Sequence, residues 1–251
     1  MEPYQAFAGV YDRIMDEIPY REWCSYVTGL LSEYQIKDGL LLELGCGTGT
    51  LTELFAQKGF DLIGVDNSAE MLQAALEKRD KSSLPILYLC QDMRAFELYG
   101  TVRAAVSLCD TMNYLTDYDD LVRVLRLVNN YLDPGGIFIF DLKTEYYFRE
   151  VVGDATFADP DDEISYIWQN EYDPENNHNQ YLLTLFLQEA DGRYARYDEL
   201  HDQRAWSLAE IRQAAADAGM VFLHAFDESH DNVNEKTERY YIILQEQGKQ
   251  Q

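Results

Sequence analysis

Residues 40–59 read LLLELGCGTGTLTELFAQKG, an apolar run, then three glycines, then a helical pattern. Gly45, Gly47 and Gly49 are spaced G-x-G-x-G around Cys46, with Glu43 just ahead of them and no Lys or Arg inside. Glycines between a strand and a helix let the backbone turn tightly and approach a ligand at the helix N-terminus. A P-loop is excluded, because no G-K-[ST] follows. The dinucleotide fingerprint is G-x-G-x-x-G, and Thr50 stands where its last glycine would be. Glu43, at the carboxyl end of the strand, would repel phosphates and attract cationic groups.

Further carboxylates follow at matching places. Asp66, with Asn67 after it, ends the second apolar run about twenty residues beyond Gly45, where a carboxylate can take both hydroxyls of a ribose. Asp92 and Met93 follow the third run, where the exocyclic amine of adenine would need an acceptor. Cys109 and Asp110 end the fourth. S-adenosylmethionine (SAM) combines a sulfonium, an ammonium, a ribose and an adenine, and carries no phosphate. It suits this set better than NAD does.

These residues need elements to hold them. Apolar runs at 39–45, 61–66, 86–92, 104–110 and 136–142 alternate with helical patterns at 50–58, 67–79 and 117–132. Such alternation predicts a parallel sheet covered by helices on both faces. Asn67 and Glu70 are a plausible capping pair for the second helix. Ahead of the core, residues 3–35 read as aromatic-rich helix broken at Pro19. Beyond it, the stretches 163–172, 180–190 and 193–204 lack intervening helices and predict antiparallel hairpins. Ser207 and Glu210 form a capping box for a last helix ending at Gly219, and runs at 220–227 and 238–245 close the chain. The resulting division is a helical lid (1–35), a ligand-binding core (36–142), an antiparallel β insert (143–205), and a last helix with closing strands (206–251).

Composition narrows the function. Of the 251 residues, 45 are acidic and 20 basic, a net charge of −25 that opposes nucleic acid and anionic membrane partners. No apolar run is long enough to span a membrane, and the N-terminus lacks the pattern of a secretory signal, so a cytoplasmic protein is expected. Cys24, Cys46, Cys90 and Cys109 are widely spaced and read as buried free thiols. No His/Cys cluster has metal-ligand spacing, so no metal is expected.

The chain resembles the class I SAM-dependent methyltransferases over nearly its whole length. LLELGCGTGT looks like their first motif, GVDNSAEML their second and CQDMR their adenine-side motif. The segments YQAFAGVYDRIMDEIPYREW, CDTMNYL and DELHDQRAW look like a narrower, largely uncharacterised bacterial branch. The resemblance implies a Rossmann-like seven-stranded α/β sheet with one antiparallel strand at its end. It implies that Glu43 and Gly45 to Gly49 hold the methionine end, Asp66 the ribose, and Asp92 with Met93 the adenine. Tyr11 and its neighbours would form a lid over the methionine end, or else the buried face of a helix.

Methyl transfer is an in-line displacement that needs alignment and exclusion of water more than a catalytic triad. A general base helps when the acceptor is an ammonium or a hydroxyl. Asp110, with Asn113, could orient such a group, and His201 and Arg204 could serve as base and anchor. Each also reads as ordinary polar surface. The expected reaction is methylation of a small molecule by a monomer or homodimer. A tRNA methyltransferase and a SAM or S-adenosylhomocysteine (SAH) sensor without turnover are the alternatives. On one face of its sheet, the insert is expected to roof the acceptor site opposite the N-terminal helix.

Overall fold

The computed structural model describes residues 7–249. Its core is a seven-stranded sheet in the order β10-β11-β5-β4-β1-β2-β3. The strands are β1 (Gly39–Leu44), β2 (Phe60–Asp66), β3 (Ile86–Cys90), β4 (Val102–Ser107), β5 (Leu132–Lys143), β10 (Met220–Phe226) and β11 (Arg239–Glu246). β1 pairs in parallel with β2 and β4, while β11 runs antiparallel to both β5 and β10. That is the sheet, with its single reversed strand near one end, that the resemblance implies.

Helices cover both faces because the inner strands are apolar on both sides. One apolar cluster joins the sheet to α5 (Tyr118–Tyr131) and α6 (Leu208–Asp217). The other joins it to α2 (Tyr20–Glu33) and α3 (Thr50–Gln57). Ser207 and Glu210 make the expected capping box on α6, and Gly219 follows with φ +74°. For α4 (Ala69–Ser82) the cap is Ser68, whose Oγ accepts the Met71 N–H at 3.2 Å, and not Asn67. The N-terminal aromatic stretch is a 3₁₀ turn (Phe7–Gly9), a short α1 (Tyr11–Ile14) and then α2, with Pro19 at the α2 N-cap. Residues 3–6 of that expected helix lie outside the described ones.

The insert is a separate four-stranded antiparallel sheet, β6-β7-β8-β9. Three strands sit where hairpins were expected: β7 (Ile164–Asp173), β8 (His178–Gln188) and β9 (Tyr194–Arg204). The edge strand β6 (Thr156–Pro160) escaped sequence reading, since its side chains are exposed and carry no apolar alternation. The inner face of this sheet, with Tyr181, Leu183 and Leu185, packs on Phe7 and Tyr11 of the N-terminal segment. The thiols are less uniform than expected: Cys24 and Cys46 are buried, Cys109 is half-buried and Cys90 is exposed at the end of β3.

Gly49, the N-cap of α3, has φ +76°, and a Cβ there would lie 2.3 Å from Tyr88 Oη. A left-handed conformation costs an L-residue about 1–2 kcal/mol, and the collision adds to it. Gly49→Ala is therefore expected to lose at least ~1 kcal/mol of stability in urea unfolding. Shortening Tyr88 to alanine in the same chain should recover only the steric part. Equal stability of Gly49→Ala and the parent would show that this turn is not constrained.

Candidate functional site

A cleft of about 460 Å³ opens at the carboxyl ends of β1 to β4. This is where an open α/β sheet offers its ligand site. Tyr11, Glu43, Gly45, Cys46, Gly47, Asp66, Asn67, Asp92, Met93 and Cys109, all predicted from sequence, line it. Gly49 does not; it acts from behind by letting α3 start.

The glycine loop lies on the end of β2. The N–H groups of Gly45 and Cys46 both donate to the Val65 carbonyl, at 2.8 and 3.1 Å. Asp66 then grips the loop: its Oδ2 accepts the Gly47 N–H at 2.8 Å, and its Oδ1 accepts the Ser68 N–H at 2.9 Å. Burial pushes the Asp66 carboxyl up, against the backbone donors Ser68 and Gly47 that favour its charged form. Each carboxylate oxygen keeps a second lone pair, so the ribose hydroxyls expected here still find acceptors.

Glu43 is 2% exposed, and its Oε2 accepts the Thr52 hydroxyl at 2.5 Å. Burial pushes its carboxyl up to about 8. A cation beside it would restore the charged form. Asp92 lies in the turn after β3, where Arg94 binds both its oxygens, Nη2 to Oδ2 at 2.6 Å. That hydrogen bond holds the Asp92 carboxyl below its ordinary value. Three positive-φ glycines, two buried carboxylates and a cleft without phosphate-binding lysines fit SAM.

Cys109 and Asp110, after β4, are consecutive non-glycine residues with φ +59° and +52°. Asp141 Oδ1 accepts the Asp110 N–H at 2.9 Å, and Gln203 donates to Asp110 Oδ2 at 2.9 Å. Lys143 and Arg239 each come within 3.4 Å of the Asp110 carboxylate. Burial would push that carboxyl up, but Lys143 and then Arg239 outweigh it and hold it low. Asp110 thus braces a strained turn and does not line the cleft, which corrects its expected role. Asn113 is likewise spent on the backbone of Lys143 and Arg204.

Arg204 needs the same correction. Its guanidinium donates to the Thr116 carbonyl and to Glu210, and stacks 3.9 Å over the Trp206 ring, away from the cleft. His201 is fully buried, with Nδ1 2.9 Å from Tyr114 Oη. Tyr114, Tyr20 and Thr111 line the cleft and were missed as site residues. Nothing local marks them; their place depends on where the loop after β4 and the start of α2 meet.

The N-terminal segment closes over the loop. Asp12 accepts the Thr48 hydroxyl at 2.6 Å and pairs with Lys78 at 2.6 Å, while Lys78 also reaches Thr50 at 2.7 Å. On its other side, Arg13 pairs with Glu163 of the insert at 2.8 Å.

The chain is similar to several known proteins. A methyltransferase domain family matches residues 41–136. A SAM-dependent methyltransferase structure from Clostridium acetobutylicum superposes with TM-score 0.86 at 30% identity, covering 98% of this chain and 99% of that one. YqeM of Bacillus subtilis, which carries a methyltransferase name, is 38% identical over 86% of this chain and 85% of its own. The chain belongs to the class I SAM-dependent methyltransferases. The match to dTDP-3-amino-3,4,6-trideoxy-α-D-glucopyranose N,N-dimethyltransferase of Streptomyces venezuelae is narrower, 33% identity over 47% of this chain and 45% of that one. When bound, SAM supplies a methyl group already activated on a sulfonium. What the chain's own residues offer is a lining for it: Asp66 and the glycine loop stand at the strand ends, with Tyr11 of the N-terminal segment on the same cleft. No helix among the described residues is long and apolar enough to cross a membrane.

Two outcomes follow from the carboxylates. Asp66→Ala should weaken SAM binding at least about tenfold, since a hydrogen bond to a charged group contributes ~1.5–3 kcal/mol; an unchanged dissociation constant by calorimetry would place the ribose elsewhere. For Glu43 the free protein favours the protonated form below about 8, and a cation favours the carboxylate, so binding releases a proton. SAM affinity should therefore rise with pH up to about 8 and level off above it. Calorimetry at neutral pH in two buffers of different ionisation enthalpy reads that proton, and Glu43→Gln should abolish it.

Proposed function

We propose that this methyltransferase acts on a small-molecule amine or hydroxyl in the cytoplasm, bound beside Tyr114 and Thr111 at the β4 end of the cleft. The observation that carries this reading is closure. A segment tied to the core through Asp12 and Lys78, and to the insert through Arg13, leaves a cavity of about 460 Å³. That volume suits a nucleoside-sized ligand with a compact partner and not a polymer. The net charge of −25 further opposes RNA. The Streptomyces venezuelae relative, named for an amino-sugar acceptor, makes a primary amine a reasonable first probe.

The reading is tested by transfer of radiolabelled methyl from SAM. The acceptors are dTDP-3-amino-3,4,6-trideoxy-α-D-glucopyranose, a panel of simple amines and phenols, and bulk tRNA. Label should enter one of the small molecules and not tRNA. Methylated tRNA with every small acceptor refused would overturn it.

A further inference from the structure

Behind the cleft wall lies a buried chain of titratable groups drawn from three parts of the fold. Tyr114, on the 3₁₀ turn Thr111–Tyr114 after β4, lines the cleft. Its hydroxyl is 2.9 Å from His201 Nδ1 on β9 and 2.8 Å from Tyr181 Oη on β8. His201 Nε2 lies 3.4 Å from Glu199 Oε2, and both side chains are fully buried. The other carboxylate oxygen, Oε1, accepts the Phe7 N–H at 3.0 Å. Tyr181 stacks flat on the imidazole, with centroids 4.5 Å apart and planes 7° apart, and Trp168 stacks on Tyr181 at 4.3 Å. The ring is therefore held flat, with the Glu199 carboxyl 3.4 Å from Nε2 and the phenol of Tyr114, a cleft-lining residue, at Nδ1.

We propose that Tyr114 is the proton acceptor for the methyl acceptor, with His201 and Glu199 as the relay behind it. This rests on the small-acceptor reading above. With Glu199 Oε2 3.4 Å from Nε2, a proton on Nε2 would face a carboxyl oxygen, and that tautomer leaves the Nδ1 lone pair for the Tyr114 O–H. As an ammonium acceptor approaches, one of its N–H bonds breaks and an O–H bond forms at Tyr114. Tyr114's own O–H proton passes to His201 Nδ1, giving an imidazolium beside the Glu199 carboxylate. The electron pair left on the acceptor nitrogen would form the new N–C bond while the bond from the methyl carbon to sulfur breaks, its pair staying on the departing sulfur. After release, the proton returns through Tyr114 to water. No electrons enter or leave the set. Tyr114 touches the cleft and is the catalytic residue; His201, Glu199 and Tyr181 are positioning residues. A carboxylate, an imidazole and a hydroxyl in line repeat the physical logic of a triad on other elements.

The tautomer decides the relay without any acceptor. In protein labelled with ¹⁵N-histidine and saturated with SAH, His201 is assigned by the signal lost in His201→Gln. The expected result is a neutral ring, protonated at Nε2, whose Nδ1 resonance alone moves in Tyr114→Phe. A ring protonated at Nδ1 would donate to Tyr114, could take no proton from it, and would overturn the proposal. With an amine that turns over in the panel above, Tyr114→Phe and His201→Gln should each lower kcat by about 10²–10³-fold at unchanged SAM affinity. Added imidazole should restore part of the rate in His201→Gly, which a packing role would not do. A kcat within threefold of the parent in both variants would equally overturn it. Refusal of every small acceptor counts against the small-acceptor reading alone, and the tautomer still decides the relay.

Discussion

Two backbone N–H groups from different loops meet at the Asp66 carboxylate, and the site's order depends on that meeting. Oδ2 takes Gly47, Oδ1 takes Ser68, and the Val65 carbonyl just before it takes Gly45 and Cys46. The end of β2 thereby sets the path of the loop after β1 and the start of α4 together. A buried carboxylate left without donors would cost several kcal/mol, so these bonds are required as much as they are useful. With the loop laid down this way, Glu43 and the glycines Gly45 and Gly47 line one ligand space.

The far wall of the cleft is built on the opposite principle, strain offset by charge. Two left-handed non-glycine residues cost about 1–3 kcal/mol each. At Cys109 and Asp110 that cost is met by Asp141, which accepts the Asp110 N–H, and by Gln203, Lys143 and Arg239, which crowd the Asp110 carboxylate from three strands. The turn delivers Thr111 against Gly45, where a Cβ would sit 2.2 Å from the Thr111 methyl. Gly45 is thus needed for the wall across the cleft as well as for its own turn. In a chain this acidic, the buried cations are spent on the frame under β4, β5 and β11 and not on the ligand.

The cofactor half of the site was legible in sequence because its residues are local. Glu43, the glycines, Asp66 and Asp92 each stand at the end of an apolar run, and strand ends converge in a parallel sheet. The other half depends on contacts between elements that the sequence does not link, such as Tyr114 with His201, 87 residues apart. Arg204 reads as an anchor for an acceptor, yet it is held by the distant Thr116 carbonyl and by its near neighbours Glu210 and Trp206. Asp110 looked like a reactive carboxylate at a strand end, and Lys143 and Arg239, which claim it, have no periodic signature. Tyr114 was one aromatic among 19 tyrosines until β8 and β9 were folded onto it. The Asn67 cap failed at closer range: Ser68, one residue on, has the extended backbone and the hydroxyl.

The N-terminal segment shows how the two halves become one cavity, and magnitudes say which contacts hold it. The Arg13–Glu163 pair is more than half exposed on both sides, so its contribution is ~0–1 kcal/mol. Burying Phe7 against Tyr181, Leu183 and Leu185 contributes roughly 1.5–3 kcal/mol. Closure is therefore mainly apolar, and the polar contacts set its register: Asp12 over Thr48, and the Phe7 N–H on Glu199. A shift of one residue along this segment would break both at once and move Tyr11 off the cleft. The carboxylate that seats the segment is also the one beside His201. Closing the cleft and fixing the imidazole are consequently a single packing event, carried by one buried side chain.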